Sequence, residues 1–134
     1  ENGKRFVVGS TGIGSLPLVV GLGAAIEKAR ARGITTIERR VLELRDYTTR
    51  QLKLIPNVSI LSAPSGPSAS ALVAVRLPST IDSQALQTTL RDKYNIMVKL
   101  VEKQWFNGIR ISPHIFNTEA DIDRAVQALR TELT

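Results

Sequence analysis

Residues 16–33 carry Val19, Leu22, Ile26 and Ala29 near the 3.6-residue spacing of a helix. Ser15 stands where an N-cap is needed, Pro17 falls in the first turn, where a missing N–H costs nothing, and Gly33 supplies a stop. Gly21, Gly23, Ala24 and Ala25 let a second element approach closely, so this helix is expected to be buried on more than one face. Over residues 35–54 the pattern sharpens: Ile37, Val41, Leu44, Tyr47 and Leu52 share one side, charges take the other, and Pro56-Asn57 ends an amphipathic helix. Residues 58–61 predict a short strand and residues 62–70, rich in Pro, Gly and Ser, a flexible connection. A second strand is expected over residues 71–77, where Leu72-Val73-Ala74-Val75 is apolar enough to be covered on both faces. Asp82 is placed to cap a helix running through Tyr94, with Leu86 and Leu90 as its buried stripe. Residues 96–101 and 109–112 predict the third and fourth strands, joined by residues 102–108. In the last helix Thr118 and Asp121 approximate a capping box, and Ile122, Ala125, Val126 and Leu129 form the apolar face.

That order predicts an α/β fold: a two-layer α/β sandwich in which a small, four-stranded, mostly antiparallel sheet is covered on one side by helices, with a long helix leading in. A ferredoxin-like split βαβ arrangement fits the last three quarters of the chain loosely.

With 134 residues, 43% of them hydrophobic and 22% charged, the chain has the size and balance of one soluble globular domain. Its most apolar stretch, residues 16–26, is interrupted by Pro17, Gly21 and Gly23 and falls short of the roughly 20 apolar residues of a membrane span. Cysteine is absent, which excludes disulfides, thiolate metal sites and a cysteine nucleophile within this segment, and a single His114 leaves no expectation of a metal site. The net charge of +6 raises the question of nucleic acid. The arginines, however, are spread from Arg30 to Arg130, and pairs such as Glu27/Arg30, Arg39/Glu43 and Asp46/Arg50 read as solvated helix faces. The strands also lack aromatic residues on which bases would stack. A non-catalytic, basic ferredoxin-like module that meets nucleic acid or a protein partner is the rival reading. The opening Glu1-Asn2-Gly3-Lys4-Arg5-Phe6 has neither an initiator Met nor a secretory signal, which predicts a segment cut from a longer, cytoplasmic protein, while residues 129–134 look like a natural terminus.

Three places offer chemistry. Gly9-Ser10-Thr11-Gly12, beside a helix start, combines small residues, hydroxyls and free N–H groups and suits a phosphate; a Gly-rich turn with unusual dihedrals is the plain alternative. Neither Gly12-x-Gly14 nor Gly21-x-Gly23 follows a clear strand, so a dinucleotide fingerprint is not expected. In Gly108-Ile-Arg-Ile-Ser112, strand alternation sends Ile109 and Ile111 to one face and Arg110 and Ser112 to the other; a guanidinium fork is what carboxylate recognition requires, and a structural role for Arg110 stays equally open on residue type alone. His114, in a turn after Pro113, reads as a hydrogen-bonding loop residue before a general base. Trp105-Phe106 forms either a pocket wall or packing under a loop.

Two segments carry a family resemblance. Arg5-Phe6-Val7-Val8-Gly9-Ser10 followed by Gly21-Leu22-Gly23-Ala24-Ala25, and Arg110-Ile-Ser-Pro-His-Ile-Phe-Asn-Thr-Glu119 followed by Asp121-Ile-Asp-Arg124, resemble the corresponding motifs of class V aminotransferase-like enzymes, which use pyridoxal 5′-phosphate (PLP). The resemblance implies the small C-terminal domain of a fold-type I enzyme, with residues 16–134 as that domain and its leading helix and residues 1–15 coming from the cofactor-domain side. It implies that Arg110 binds the substrate α-carboxylate, with Ser112, His114 and Trp105 as further substrate-side candidates. Ser10, in place of the family's usual Thr, would reach the cofactor phosphate across a homodimer, with Gly9 and Thr11 beside it. Val7 replaces a common acid and Phe116 the usual Tyr. The Schiff-base lysine of such enzymes follows a His in the large domain; none of Lys4, Lys28, Lys53, Lys93, Lys99 or Lys103 matches, so the segment holds no catalytic residue and is expected to be inactive alone. Residues 101–108 lack the reactive cysteine of cysteine desulfurases and are more similar to the isopenicillin N epimerase-like branch, which includes C–S lyases. The implied activity is that of an α-amino acid epimerase, C–S lyase or transaminase acting on a small-molecule substrate.

Overall fold

The computed structural model describes residues 15–64, 66 and 68–133. Its elements are α1 (Leu16–Arg32), α2 (Ile34–Leu52), β1 (Ser59–Ile60), β2 (Val73–Arg76), α3 (Ser83–Tyr94), β3 (Lys99–Leu100), β4 (Gly108–Ile111) and α4 (Glu119–Leu133). The chain divides after Thr36 into two compact units. Among the described residues no helix is long and apolar enough to cross a membrane.

In the first unit Pro17 sits in the opening turn of α1, and the carbonyl of Ser15, not its hydroxyl, accepts from the N–H groups of Leu18 and Val19 at 2.9 and 3.2 Å. Gly33 ends the helix at φ +83°, a dihedral that L side chains resist, and α2 starts at the next residue. The expected burial of α1 on several faces is not found: no residue of α1 is buried, and Leu16, Leu18, Val19, Val20, Leu22 and Ile26 are each more than half exposed. These side chains lie around the helix instead of along one stripe, and a Cβ at Gly21 or Gly23 would meet nothing within 4 Å.

The second unit holds the sheet, ordered β1-β2-β4-β3 and antiparallel at every pairing. Because β2 and β3 both run against β4, they are parallel to each other with β4 between them, so β2-α3-β3 is one split βαβ unit; the likeness to the ferredoxin arrangement stops there, since β1 follows no second such crossover. Val73, Val75 and Ile109, with Ile60, Leu100 and Ile111 partly buried, point to the side packed with Leu44 and Leu52 of α2, Leu86 and Leu90 of α3, and Ile122, Val126 and Leu129 of α4. Burying each such side chain contributes roughly 1.5–3 kcal/mol. No helix of this unit packs on the other side, so within the unit β2 is covered on one face only: Val73 and Val75 are buried, Ala74 is half-buried and Arg76 exposed. β1, β2 and β3 are shorter than their apolar runs predict, while β4 keeps the expected length and starts one residue earlier.

The helix ends follow their local chemistry. Asp82 Oδ1 accepts from the N–H groups of Gln84 and Ala85 at 2.7 and 3.0 Å, and Asn95, at φ 55°, closes α3. At α4 the Thr118 N–H donates to Asp121 Oδ2 at 2.9 Å while the Asp121 N–H donates to Thr118 Oγ1 at 3.2 Å, a reciprocal capping box. Arg40 clamps α2 to α4 by a two-point bond to Glu119 at 2.8 and 3.1 Å, and the Tyr47 hydroxyl donates to Asp123 at 2.7 Å. Of the charge pairs read along the helices, Arg39 and Glu43 approach to 4.0 Å. Asp46 turns instead to Arg45 at 2.5 Å, and Arg50 lies over the Tyr47 ring at 5.7 Å. Arg45 is no solvated charge: it is buried and also donates to the carbonyl of Ala63, tying the β1–β2 connection to α2.

Candidate functional site

The site grows from the start of β4. A Cβ on Gly108 would lie 2.2 Å from the Val75 carbonyl oxygen and 2.6 Å from the Phe106 ring, so only glycine lets β2 and β4 run this close. Asn107 fixes the same point, its side-chain N–H groups donating to the carbonyls of Pro78 and Ile81 at 2.9 and 2.8 Å while its own carbonyl accepts from the Leu77 N–H at 2.9 Å. With β4 pinned, alternation turns Ile109 fully into the core and Arg110 out to the open face.

Arg110 faces Ala74 of β2 on one side and Lys99 of β3 on the other. Ala74 is too short to fill the space beside the guanidinium. Arg76, two residues further along β2, holds its guanidinium carbon 5.6 Å from the centre of the Phe106 ring. Arg110 is half-buried, its Nε is shielded from solvent with no hydrogen-bond partner, and among the described residues it forms no ion pair. A shielded N–H of a cation left without an acceptor is a costly arrangement that an incoming carboxylate relieves.

The other candidates lie outside β4, before and after it. Ser112 is exposed just beyond β4 and lines an open hollow of about 350 Å³ with Met97, Pro113, Asn117, Asp121 and Arg124. His114 is exposed; its N–H donates to Asn117 Oδ1 at 2.9 Å, its carbonyl accepts from the Asn117 N–H at 2.8 Å, and its ring lies 5.3 Å from that of Phe116. Trp105 projects into solvent from the β3–β4 turn, where its N–H donates to the Glu102 carbonyl at 2.9 Å. Arg110 alone of these candidates lies within β4; Ser112 follows its end, and Trp105 and His114 lie beyond opposite ends of the strand. Gly9, Ser10 and Thr11 lie outside the described residues. Sequence reasoning passed over Lys99 and Arg76; their signal is the period of two in Lys99-Leu100 and Val75-Arg76, which becomes meaningful only once the register is known. Among the described residues no cluster of three or more His, Asp or Glu side chains is placed to hold a metal ion.

The four helices and the four-stranded antiparallel sheet of the described residues form an α/β fold whose structural neighbours are PLP-dependent fold-type I enzymes. The aminotransferase class-V family model matches residues 1–125, and the chain belongs to that family of PLP-dependent enzymes. It is similar to the isopenicillin N epimerase of Amycolatopsis lactamdurans, at 29% identity over 80% of this chain and 27% of that protein. Its identity to the isopenicillin N epimerase of Streptomyces clavuligerus is 32%, over 72% of this chain and 24% of that protein. The chain therefore spans about a quarter of the length of these curated relatives. Among solved structures, a variant of the cystine C–S lyase C-DES with glycine covalently linked to its PLP cofactor superposes with a TM-score of 0.78 at 25% identity, covering 97% of this chain and 32% of that one.

Proposed function

We propose that the full-length protein is a PLP-dependent enzyme acting on an α-amino acid, of epimerase, C–S lyase or transaminase type, and that this chain contributes the arginine that receives the substrate α-carboxylate. The observation that carries the reading is Arg110: half-buried on the open sheet face, with a shielded, unpartnered Nε and no acid beside it. Its planar fork accepts both oxygens of one carboxylate, fixing the orientation of the amino acid as well as its presence. Ile109 in the core and Gly108 against β2 keep the guanidinium from drifting, so little freedom is lost on binding. Ser10, with Gly9 and Thr11, would donate to the phosphate of PLP across a homodimer, as the resemblance implies. PLP, when bound, supplies an electron sink that stabilises negative charge at the substrate Cα. The Schiff-base lysine would belong to the rest of the protein, which leaves this segment inactive by itself; the small-molecule substrate and a cytoplasmic location complete the reading. The basic binding-module alternative draws no support from the strands, none of which carries an aromatic side chain.

Titrating the PLP-loaded full-length protein with α-amino acids and with their α-carboxamides, and following the cofactor's absorption, tests the proposal. Response to the acids at concentrations where the amides are silent is expected; an equal response to both overturns it.

A further inference from the structure

The β3–β4 register sets Lys99 directly opposite Arg110, and both side chains leave the sheet on the open face. Residues so paired have their Cβ atoms about 4.5–5.5 Å apart, and like charges in that position repel. A carboxylate on a neighbouring strand position usually relieves such repulsion. The other positions that share this face are Ser59, Ala74, Arg76 and Gly108, none of them acidic. Elsewhere in the sheet-bearing unit several cations find partners, Arg39 and Arg40 with Glu43, Arg45 with Asp46, Arg91 with Asp92, Lys93 with Glu132 and Lys103 with Asp82, whereas Lys53 stands without one among the described residues but alone, with no second cation paired to it across a strand. Arg76 rests over the Phe106 ring. Lys99 and Arg110 have neither an acid nor a ring among the described residues, and they stand side by side.

One carboxylate occupies the Arg110 fork with both its oxygens, which leaves the Lys99 ammonium still facing a cation. From this we infer that the substrate carries a second acidic group: Arg110 takes the α-carboxylate and Lys99 the distal one, so the substrate class is an α-amino dicarboxylic acid. The inference rests on the carboxylate role proposed for Arg110. The spacing of the two side-chain roots, about 5 Å, suits two carboxylates separated by a few methylene groups. The two cations also divide the work by their chemistry. The rigid fork fixes the end of the substrate that must be oriented for reaction, and the ammonium on its flexible stem accepts a distal acid over a range of positions.

Calorimetric titration of the full-length protein with glutarate and with glutaramate, its half-amide, separates the two roles, because both ligands keep one carboxylate for Arg110 and only glutarate offers a second. In the wild type glutarate is expected to bind about tenfold or more tightly than glutaramate, the worth of a charge-assisted hydrogen bond. That ratio is expected to drop at least about fivefold in Lys99→Met and to survive in Lys99→Arg. A smaller wild-type ratio, or one that Lys99→Met leaves in place, overturns the inference; the latter result pairs Lys99 with an acid elsewhere in the protein. If both ligands bind equally in the wild type, the role of Arg110 stands and that of Lys99 falls. If neither binds, both fall.

Discussion

Lys99 and Arg110 face one another across the β3–β4 ladder, on the side of the sheet that no helix of its own unit covers. The same ladder places their neighbours, Leu100 and Ile109, opposite each other in the core. A single register thus does two things: it closes an apolar layer and sets a pair of cations back to back with it. Slipping β3 by one residue against β4 would turn Lys99 into the core and Leu100 out of it, so the core that stabilises the sheet also guarantees the composition of its open face.

Because the Arg110 side chain bonds to nothing among the described residues, its removal should cost function and not folding. In the full-length enzyme Arg110→Ala is expected to lower kcat/KM for α-amino acids by about 30- to 1,000-fold, the loss of roughly 2–4 kcal/mol of bidentate, charge-assisted binding. The denaturation midpoint should stay near that of the wild type. Kinetics and a urea melt on the same preparation check this; undiminished kcat/KM contradicts the carboxylate role, and a collapse of the midpoint reveals a structural one.

Gly108→Ala should do the reverse. The added methyl would sit 2.2 Å from a backbone oxygen of β2, which cannot yield as a flexible side chain would, so the strands must part. A destabilisation of about 1–3 kcal/mol is expected from overpacking of this kind, and Arg110 would be displaced with the strand. Urea denaturation reads the first effect and the KM for amino acids the second. A variant with wild-type stability would show that the β2–β4 spacing is looser than described.

The elements that the chain announces locally are those decided within a few residues. The Asp82 cap and the Thr118–Asp121 box are three-residue arrangements, and both form where their residues stand. The two-layer, one-sided sandwich was equally legible from the order of helical and strand patterns. Burial was not, because it depends on partners remote in sequence. Leu72-Val73-Ala74-Val75 reads as a strand covered twice, yet helices reach only one side of it. The apolar residues of α1 predict a covered helix and are exposed. Arg45 looks like any charge on an amphipathic helix until the Ala63 carbonyl folds back onto it. Arg110 could be singled out from Ile-Arg-Ile alone, while Lys99 acquires meaning only from a pairing 11 positions away.

Acid should loosen the α2–α4 clamp. The Arg40 guanidinium, helped by a backbone N–H, holds the Glu119 carboxyl down to about 2 from its ordinary 4.5. A group with a depressed folded-state pKa contributes stability that is present above the unfolded value and is lost as pH falls through the folded one, here between about 4.5 and 2. Glu119→Gln should therefore flatten part of the acid limb of stability against pH in that window. It should not abolish the limb, because Asp121, held low by the Thr118 N–H, and Glu132, held low by Lys93, also lose stabilising interactions as acid protonates them. Since the pair is exposed, added salt should narrow the difference between variant and wild type. Urea midpoints measured from pH 7 downward at two salt concentrations check both statements; parallel curves for wild type and variant would show that the clamp adds no pH dependence.

The remaining prediction concerns Ser10, which the resemblance places at the cofactor phosphate of a neighbouring subunit. A serine keeps the hydroxyl of the family's usual threonine and loses only a methyl, so a hydrogen bond to a charged group is retained; Ser10→Ala removes it. Such a bond contributes roughly 1.5–3 kcal/mol, and cofactor dissociation from the full-length variant is expected to rise by about 10- to 150-fold. If the phosphate is held across a dimer, cofactor retention should also fall on dilution below the dimer dissociation constant, and more steeply in the variant, since mass action links the two equilibria. Equilibrium dialysis at a series of protein concentrations measures both. Wild-type retention by the variant would return Gly9-Ser10-Thr11 to the role of a plain turn, and Arg110 would stand as this chain's contribution to the site.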